Sequence, residues 1–285
     1  MLEYFKRKDH KNMSIKLIAT DLDGTLMSPD HITITDYTVS ALEKAHNKGV
    51  KIAIATGRPL VLTDNVTDQI PFADYVIYAN GAGVYDRNRR KTLCCDLIPN
   101  KTAIDAISHF LKQKVFFEVY INGKSHYQTE CIAFFNNTDL PQEFLDQIEG
   151  TMDAHDDLIE YLGDRGIEKI TLYSLEDRQY ECFTSKMKEL ELTTSVSFEG
   201  CLEGTSQTAN KGTAIANLSN ALGITANEVM CFGDAGNDIQ MLEWAEFSFA
   251  MGNGSDDCKA AAKFTAPSNA EDGLAKTVNK YINNI

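Results

Sequence analysis

The sequence predicts an α/β protein whose core is a doubly wound, mostly parallel sheet and whose middle third forms an inserted α+β domain. Short apolar runs alternate with segments of helical periodicity, which is typical of a sheet covered by helices on both faces. The middle third instead has the alternation and turn signals of antiparallel strands. The length of 285 residues allows one large domain or two of ordinary size.

Five apolar runs predict the buried strands of the core sheet. They are Lys16 to Thr20, Val50 to Thr56, Tyr75 to Asn80, Glu228 to Gly233 and Phe247 to Gly252.

Helices are predicted between these strands. After the first run, Thr35 to Gly49 carries Val39, Leu42 and Ala45 at helical spacing. Before the fourth run, apolar residues at 214, 215, 218, 221 and 222 line a second helix, which Gly223 ends. Strands and helices that alternate in this way form a Rossmann-like sheet.

The middle third predicts an antiparallel sheet with its own helices. The strong hairpin signal Asn122-Gly123 stands between Val115 to Tyr120 and Lys124 to Gln128, and Ile167 to Ser174 alternates as a half-buried strand does. Amphipathic helices are predicted over Lys101 to Lys112, Pro141 to Ile148 and Glu176 to Leu190. We therefore predict an N-terminal tail at 1–13, a core at 14–86 and 206–285, and an inserted α+β domain at 87–205.

Composition and charge exclude several classes of protein. With 43% apolar and 24% charged residues, the chain has the composition of a globular protein. Its 41 acidic and 27 basic residues give a net charge of −14, which argues against a nucleic-acid partner or an anionic membrane surface. No apolar run reaches the roughly 18 residues of a transmembrane helix.

The cysteines and the N-terminus predict an intracellular protein. Seven cysteines without a CxxC pair indicate reduced thiols rather than zinc ligands or a disulfide framework. Residues 1–12 are basic, but no apolar segment follows them, so we predict a cytoplasmic location rather than secretion. Met13 is an alternative natural start, with the preceding residues as an upstream extension.

Polar side chains follow four predicted strands at the points where these strands end. The segments are Asp21-Leu22-Asp23-Gly24-Thr25, Thr56-Gly57-Arg58, Asn80-Gly81 and Gly233-Asp234-Ala235-Gly236-Asn237-Asp238. The carboxyl ends of parallel strands share one edge of the sheet, here called the carboxyl edge, and ligands of such folds bind there. The sequence therefore predicts one shared site.

The residue types at this edge point to phosphoryl transfer. Four aspartates would crowd like charges, which a bound cation relieves, and oxygen ligands without His or Cys favour Mg2+ over zinc. Lys211, at the start of the second predicted helix, adds a cation, and Thr56 with the backbone around Gly57 adds neutral donors. Ligands for a metal beside donors for an anion are typical of a phosphoryl-transfer site.

The order of the motifs DxDGT, TGR, NKG and GDxxND resembles the haloacid dehalogenase (HAD) superfamily of phosphohydrolases, from Asp21 to Asp238. A DxDGT pattern arises by chance in roughly two of every thousand chains of this length. The insertion between TGR and NKG, with AMGNG at 250–254 and NAEDG at 269–273, resembles the Cof-type subfamily. That subfamily carries its α+β cap (type IIB) at this place.

The resemblance implies a role for each motif residue. Asp21 would be the nucleophile that forms an aspartyl-phosphate, and Asp23 the acid that protonates the leaving oxygen and then the base that activates water. The implied Mg2+ ligands are Asp21, the backbone carbonyl of Asp23, and Asp234, with Asn237 and Asp238 as further ligands or supports of its waters. The implied phosphate-binding residues are Thr56, Gly57 and Lys211, and the implied substrate contacts are Arg58 and Asn80.

Three functions agree with these motifs. The leading interpretation is a Mg2+-dependent phosphatase of small phosphorylated metabolites, such as sugar phosphates or phosphorylated cofactors. A phosphomutase would carry the same motifs, because only the acceptor differs. A signalling module that stores phosphate on Asp21 is disfavoured, because Asp23 would promote turnover.

The six histidines form no paired pattern and are predicted to be solvated or structural. The substrate and the oligomeric state stay open.

Overall fold

The computed structural model describes residues 14–135, 150–196 and 200–283. The strands of this part form two sheets. In chain order they are β1 (Leu17–Thr20), β2 (Lys51–Ala55), β3 (Tyr75–Tyr78), β4 (Gly83–Asp86), β5 (Lys91–Cys95), β6 (Phe117–Ile121), β7 (Lys124–Gln128), β8 (Met152–His155), β9 (Lys169–Leu172), β10 (Thr193–Ser195), β11 (Leu202–Thr205), β12 (Val229–Gly233), β13 (Phe247–Ala250) and β14 (Phe264–Thr265).

The α-helices of the same residues range from one turn to almost four. They are α1 (Asp36–Asn47), α2 (Asp64–Thr67), α3 (Asn100–Gln113), α4 (Leu158–Leu162), α5 (Asp177–Glu189), α6 (Lys211–Leu222), α7 (Ile239–Trp244), α8 (Asp256–Ala261) and α9 (Gly273–Val278). No helix in the described ranges is both long and apolar enough to span a membrane.

The first sheet has eight strands in the order β14-β13-β12-β1-β2-β3-β4-β5. Its strands from β14 to β3 are all parallel, and β1 lies between β12 and β2. The five predicted core strands are therefore present and parallel, and the doubly wound α/β core is confirmed. Buried apolar residues cover both faces of this sheet, with Ile54 and Phe232 in one cluster and Ile77 and Ile215 in the other.

The two predicted core helices are α1 and α6, and each begins at a side-chain cap. The Thr38 backbone N–H donates to Oγ1 of Thr35 at 3.2 Å, and the Thr213 N–H donates to Oδ1 of Asn210 at 2.8 Å. Such caps satisfy N–H groups that lack a partner in the first turn. The cap at Asn210 fixes where α6 begins and therefore where Lys211 stands.

The first sheet extends further along the chain than the sequence predicted. Residues 91–95, which the prediction placed in the insertion at 87–205, form β5, and β5 pairs antiparallel with β4 in the first sheet. Every residue of β5 is exposed, so this edge strand lacks the apolar run by which the other core strands were found. The remaining bounds of the tail, core and insertion stay a prediction.

The second sheet has six strands in the order β10-β11-β9-β6-β7-β8. The predicted hairpin is β6–β7, and both turn residues have positive φ, 55° at Asn122 and 75° at Gly123, as a type I′ turn requires. The β7–β8 pair is parallel, which departs from the predicted antiparallel sheet. Two predicted helices correspond to α3 and α5. The predicted helix Pro141 to Ile148 and the tail at 1–13 lie outside the described residues.

The two faces of the second sheet differ in chemistry. Ile170 lies on the apolar face, in a buried cluster with Phe110 of α3 and Met187 of α5. The opposite face carries polar side chains that are nevertheless buried or half-buried, because this face is turned toward the carboxyl edge of the first sheet. We call this polar set the cap face; it includes Glu118, Tyr120, Lys169, Thr171, Ser195, Glu203 and Thr205.

Candidate active site

Asp21 lies directly after the central strand β1, where its backbone N–H donates to the carbonyl of Phe232 at 3.0 Å. The chain then turns tightly, with Gly24 at a φ of 81°. A Cβ atom at Gly24 would lie 2.3 Å from Oδ2 of Asp234, so both the conformation and the available space require glycine here. This turn allows the first and fourth motifs to meet.

Lys211 joins two of the aspartates. Its Nζ donates to Oδ1 of Asp21 at 2.6 Å and to Oδ1 of Asp238 at 2.7 Å, and the lysine is completely buried. Burial alone would lower the pKa of Lys211, but the charges of Asp21 and Asp238 hold it above its usual range. Burial, with the charges of Asp238 and Asp234, raises the pKa of Asp21 despite Lys211. Ionisation of Asp21 is therefore costly in this buried, acidic site.

Asp234 and Asp238 complete an acidic cluster with Asp21. The Thr25 hydroxyl donates to Oδ1 of Asp234 at 2.6 Å, and the backbone N–H groups of Asp234 and Ala235 donate to Oδ2 of Asp238 at 2.9 and 3.0 Å. Burial, followed by the charge of Asp238, raises the pKa of Asp234 to about 6. The two raised carboxyl pKa values indicate that ionisation of the cluster is costly.

Asp23 points to a different set of partners. Arg58 donates from Nε to Oδ2 at 3.0 Å and from Nη2 to Oδ1 at 2.6 Å, and His31 lies 3.1 Å from Oδ1 through Nδ1. Burial acts to raise the pKa of Asp23, but the His31 hydrogen bond and the Arg58 charge outweigh it and lower the pKa to about 2. In this conformation Asp23 is an ionised carboxylate.

Thr56 and Gly57 form the loop after β2. Oγ1 of Thr56 accepts a hydrogen bond from the Arg58 backbone N–H at 3.1 Å, and the Gly57 carbonyl accepts one from Nζ of Lys169 at 2.7 Å. A Cβ atom at Gly57 would lie 2.9 Å from Oδ1 of Asn80. Gly57 thus leaves the space in which the next loop reaches the site.

Asn80 connects three parts of the site. Its Nδ2 donates to Oε2 of Glu203 at 2.7 Å and to Oγ of Ser195 at 3.0 Å, both in the second sheet. Its Oδ1 accepts a hydrogen bond from Nδ2 of Asn237 at 3.1 Å, in the fourth motif. Asn80 therefore links the acidic cluster to the cap face.

Every site residue predicted from the sequence lies at the carboxyl edge, but not all side chains meet. Asp21, Lys211, Asp234 and Asp238 come together, whereas Asp23 turns to Arg58 and Asn80 turns to Glu203. Their catalytic and binding roles stay predictions.

Sequence reasoning missed three residues of this region: His31, Lys169 and Glu203. His31 was predicted to be solvated or structural, since no motif surrounds it. Lys169 begins the strand KITL and Glu203 lies in the strand LEGT, and a charged residue in a buried strand is a signal for a polar group that has a buried partner.

The acidic cluster fits a hard divalent cation. One ligand atom from each of Asp21, Asp234 and Asp238 lies within 4.8 Å of the others. All three donors are carboxylate oxygens, the type that Mg2+ prefers. Burial, together with the charges of neighbouring aspartates, raises the pKa values of Asp21 and Asp234, and a cation would relieve the repulsion among these charges.

A doubly wound core with a capped, acidic carboxyl edge is the architecture of a phosphoryl-transfer enzyme, and comparison with known proteins agrees. The family model of haloacid dehalogenase-like hydrolases matches residues 18–278. The 5-amino-6-(5-phospho-D-ribitylamino)uracil phosphatase YcsE of Bacillus subtilis is 28% identical over 278 residues, covering 95% of this chain and 98% of that protein.

Two solved structures extend this similarity to the whole fold. A haloacid dehalogenase-like hydrolase from B. subtilis has a TM-score of 0.82 and 26% identity, covering 93% of this chain and 99% of that one. The HAD subclass IIB sugar phosphatase BT4131 has a TM-score of 0.78 and 27% identity, covering 95% and 100%. The chain belongs to the haloacid dehalogenase-like hydrolases and is a phosphohydrolase of the Cof type, which confirms the resemblance of its motifs.

Proposed function

We propose that this phosphatase hydrolyses small phosphorylated metabolites, depends on Mg2+ and uses a phosphorylated Asp21 as its intermediate. The observation that carries the proposal is the buried Asp21–Lys211–Asp238 chain beside Asp234 at the end of the central strand. The names of two relatives support the substrate class, since one acts on a phosphorylated ribitylaminouracil and another is a sugar phosphatase.

In the first step, a carboxylate oxygen of Asp21 attacks phosphorus, and the bond between phosphorus and the leaving-group oxygen breaks. Lys211 and the Thr56 hydroxyl stabilise the phosphoryl oxygens as charge spreads over them. Asp23 supplies a proton to the departing oxygen. To do so it must leave Arg58, because an Asp23 with a pKa of about 2 holds no proton near neutral pH.

In the second step, a water molecule attacks the phosphorylated Asp21. Asp23, now a carboxylate, accepts a proton from that water, and the bond between phosphorus and Asp21 breaks to release inorganic phosphate. Asp21 and Asp23 thus take different roles although two positions apart, because the side chain of Asp21 contacts Lys211 whereas that of Asp23 contacts Arg58.

Asp21, the backbone carbonyl of Asp23, and Asp234 are the proposed Mg2+ ligands. Both carboxylate oxygens of Asp238 already accept hydrogen bonds, so Asp238, together with Asn237, is proposed to support the ligands. A bound Mg2+ would neutralise charge on the transferring phosphoryl group.

A hydrolysis screen tests the proposal. We expect the purified protein with Mg2+ to release inorganic phosphate from at least one member of a panel of sugar phosphates and phosphorylated cofactors. Asp21→Asn should abolish this release, while Asp68→Asn, a change at an exposed aspartate outside the site, should leave it intact. Isomerised sugar phosphate in place of free phosphate would identify a phosphomutase, and a long-lived phosphoprotein would identify a signalling module.

A further inference from the structure

Two histidines of the second sheet face each other. His126 lies on β7 and His155 on β8, 29 positions further along the chain, and Nδ1 of His126 is 3.0 Å from Nε2 of His155. The parallel pairing of β7 with β8 brings them together, because His126 lies beside Asp153 and Gln128 beside His155. No sequence motif joins the two histidines, so the pair is visible only in the folded protein.

A carboxylate faces the same ring nitrogen. Oδ2 of Asp153 is 3.8 Å from Nδ1 of His126, and the Asp153 side chain is 55% exposed whereas that of His126 is 2% exposed. Asp153 and His155 are two positions apart on β8, so their side chains lie on the same side of the strand. Two imidazole nitrogens and one carboxylate therefore converge at the edge of the second sheet.

The surroundings of His126 favour a neutral ring with a defined lone pair. Burial, followed by the charge of His155, lowers the pKa of His126. The ring also donates a hydrogen bond to the backbone of Ile121. A neutral imidazole that donates from one nitrogen keeps a lone pair on the other, and Nδ1 is the nitrogen that faces His155 and Asp153. Neutral imidazole is the form that binds metal ions.

A hydrogen bond between the two rings explains only part of this arrangement, because it gives the Asp153 carboxylate no role. A shared cation would be attracted by all three groups. Two nitrogens bound to one Zn2+ at about 2.0–2.1 Å lie about 3.3 Å apart at a tetrahedral angle, close to the 3.0 Å between the two histidines. Asp153 has to turn further toward His155, since in the described part of the chain three ligand atoms already lie within 4.8 Å of one another only in the acidic cluster.

We propose that His126, His155 and Asp153 bind a divalent transition-metal ion, for which Zn2+ is the best match. Imidazole nitrogens suit zinc, whereas Mg2+ prefers oxygen ligands, so this site and the acidic cluster select different ions. Two histidines and a carboxylate leave the fourth tetrahedral position to water. The ion would join β8, the edge strand of the second sheet, to β7. The site is independent of the proposed phosphatase reaction.

The first test measures Zn2+ binding by calorimetric titration, with Mg2+ in excess to occupy the acidic cluster. We expect the unaltered protein to bind Zn2+ and His155→Ala to bind it at least about 100-fold more weakly, since a direct ligand is lost. His109→Ala is the matched control, because His109 belongs to the same domain but packs against Phe110 and Phe183. This control should bind Zn2+ as the unaltered protein does.

The second test identifies the ligands. X-ray absorption of the Zn2+-loaded protein should show imidazole nitrogens at about 2.0–2.1 Å. Bound Zn2+ should also raise the midpoint of thermal unfolding of the unaltered protein and of His109→Ala, but not of His155→Ala. The exposed thiols of Cys94, Cys95 and Cys182 are present in all three proteins, so any Zn2+ that they bind cancels in the comparison.

Three results would overturn the proposal, and none of them depends on hydrolysis of a substrate. Equal Zn2+ affinity of the unaltered protein and His155→Ala would exclude the histidine pair. Zn2+ that a higher Mg2+ concentration displaces would belong to the acidic cluster. Absence of Zn2+ binding would mean that a hydrogen bond alone joins the rings. Should His155→Ala fail to fold, Asp153→Asn replaces it, with an expected loss of Zn2+ affinity of about 10- to 100-fold.

Discussion

Arg58 holds Asp23 through two hydrogen bonds, of 3.0 Å from Nε to Oδ2 and 2.6 Å from Nη2 to Oδ1. The guanidinium is almost completely buried, whereas the Asp23 side chain is 35% exposed. Arg58 is therefore the fixed partner and Asp23 the one with room to move. The contact keeps Asp23, the proposed acid and base, ionised until its side chain turns toward a substrate.

The Arg58–Asp23 contact predicts a pH-dependent contribution to stability. Because the folded-state pKa of Asp23 is about 2, below its ordinary value of 3.8, the contribution is present above about pH 4 and is lost as the pH falls toward 2. His31 also lowers this pKa, so Arg58→Gln should remove only the Arg58 part of the contribution, and the difference in free energy of unfolding between the two proteins should shrink over this range. Urea unfolding without Mg2+ at several pH values measures the difference.

Arg87→Gln is the control for this prediction, because Arg87 donates to the backbone carbonyls of Pro71 and Ala73. Its effect on the free energy of unfolding should not change between pH 4 and 2. A constant effect of Arg58→Gln over the same range would contradict the role given to the ion pair.

Asp234→Ala should weaken Mg2+ binding at least about 100-fold and abolish turnover, since losing even an indirect support of a metal ligand costs 10- to 100-fold. Without Mg2+ the variant should be more stable than the unaltered protein at neutral pH. The folded-state pKa of Asp234 is raised to about 6, so its ionisation destabilises the folded state as the pH rises from about 4 through 6. Calorimetric titration with Mg2+ and thermal unfolding at pH 4 and 7.5 measure both effects. Normal activity at low Mg2+ would exclude Asp234 as a ligand.

Asp21→Asn and Asp23→Asn should differ on an aryl phosphate. Asp21→Asn removes the nucleophile and should form no phosphoprotein. Asp23→Asn keeps the nucleophile and loses proton transfer, which is worth roughly 10² to 10⁴ in rate. Because an aryl oxide leaves without a proton, this variant should release a burst of phenol and then turn over slowly. Acid quenching should trap phosphate on Asp21; equal losses for aryl and alkyl esters without a burst would contradict these roles.

Gly24→Ala should disrupt the acidic cluster. The added Cβ would lie 2.3 Å from Oδ2 of Asp234, in a backbone conformation with a φ of 81°. We expect a loss of about 1–3 kcal/mol in the free energy of unfolding and of at least about 100-fold in kcat/KM. Gly236→Ala, in the fourth motif, is the control, because nothing lies within 4 Å of its Cβ position. Equal activity of the two variants would show that the turn tolerates a side chain.

The second sheet over the carboxyl edge predicts a limit on substrate size. Lys169 and Glu203 hold the second sheet against the core loops beside Asp21, which is itself buried. We expect free metabolites to be hydrolysed and a phosphoserine in a folded protein to stay intact, as measured by released phosphate. Efficient dephosphorylation of the folded protein would refute this limit, and a short phosphopeptide serves as the intermediate case.

The sequence predicted the features that depend on local pattern. Buried strands such as Val229–Gly233 are apolar runs, and the polar residues after them stand at motif spacing, so the convergence of Asp21, Lys211 and Asp234 followed from the parallel sheet. The exposed strand Lys91–Cys95 has no such pattern, because an edge strand open to solvent needs no apolar residues.

The residues of the cap face could not be found from pattern alone. Whether Lys169 faces solvent or another domain depends on how the two sheets are placed, and that placement involves contacts such as Lys169 to Gly57, far apart in the chain. His31 reaches Asp23 through a loop conformation that no helical or strand period encodes. Contacts between residues far apart in the chain therefore determine which of these residues belong to the site, and local sequence spacing does not reveal them.

The pairing of β1 with β12, in which Leu17 lies beside Val229, bears on the order in which parts of the protein assemble during synthesis. Before Val229 is synthesised, β1 has one open edge, and Asp234 and Asp238 follow later still, so the catalytic centre is among the last parts to assemble. The second sheet, whose strands lie between 117 and 205, has all its partners earlier and is free to fold first. During synthesis, all strands of the second sheet are therefore present in the chain before the catalytic centre is complete.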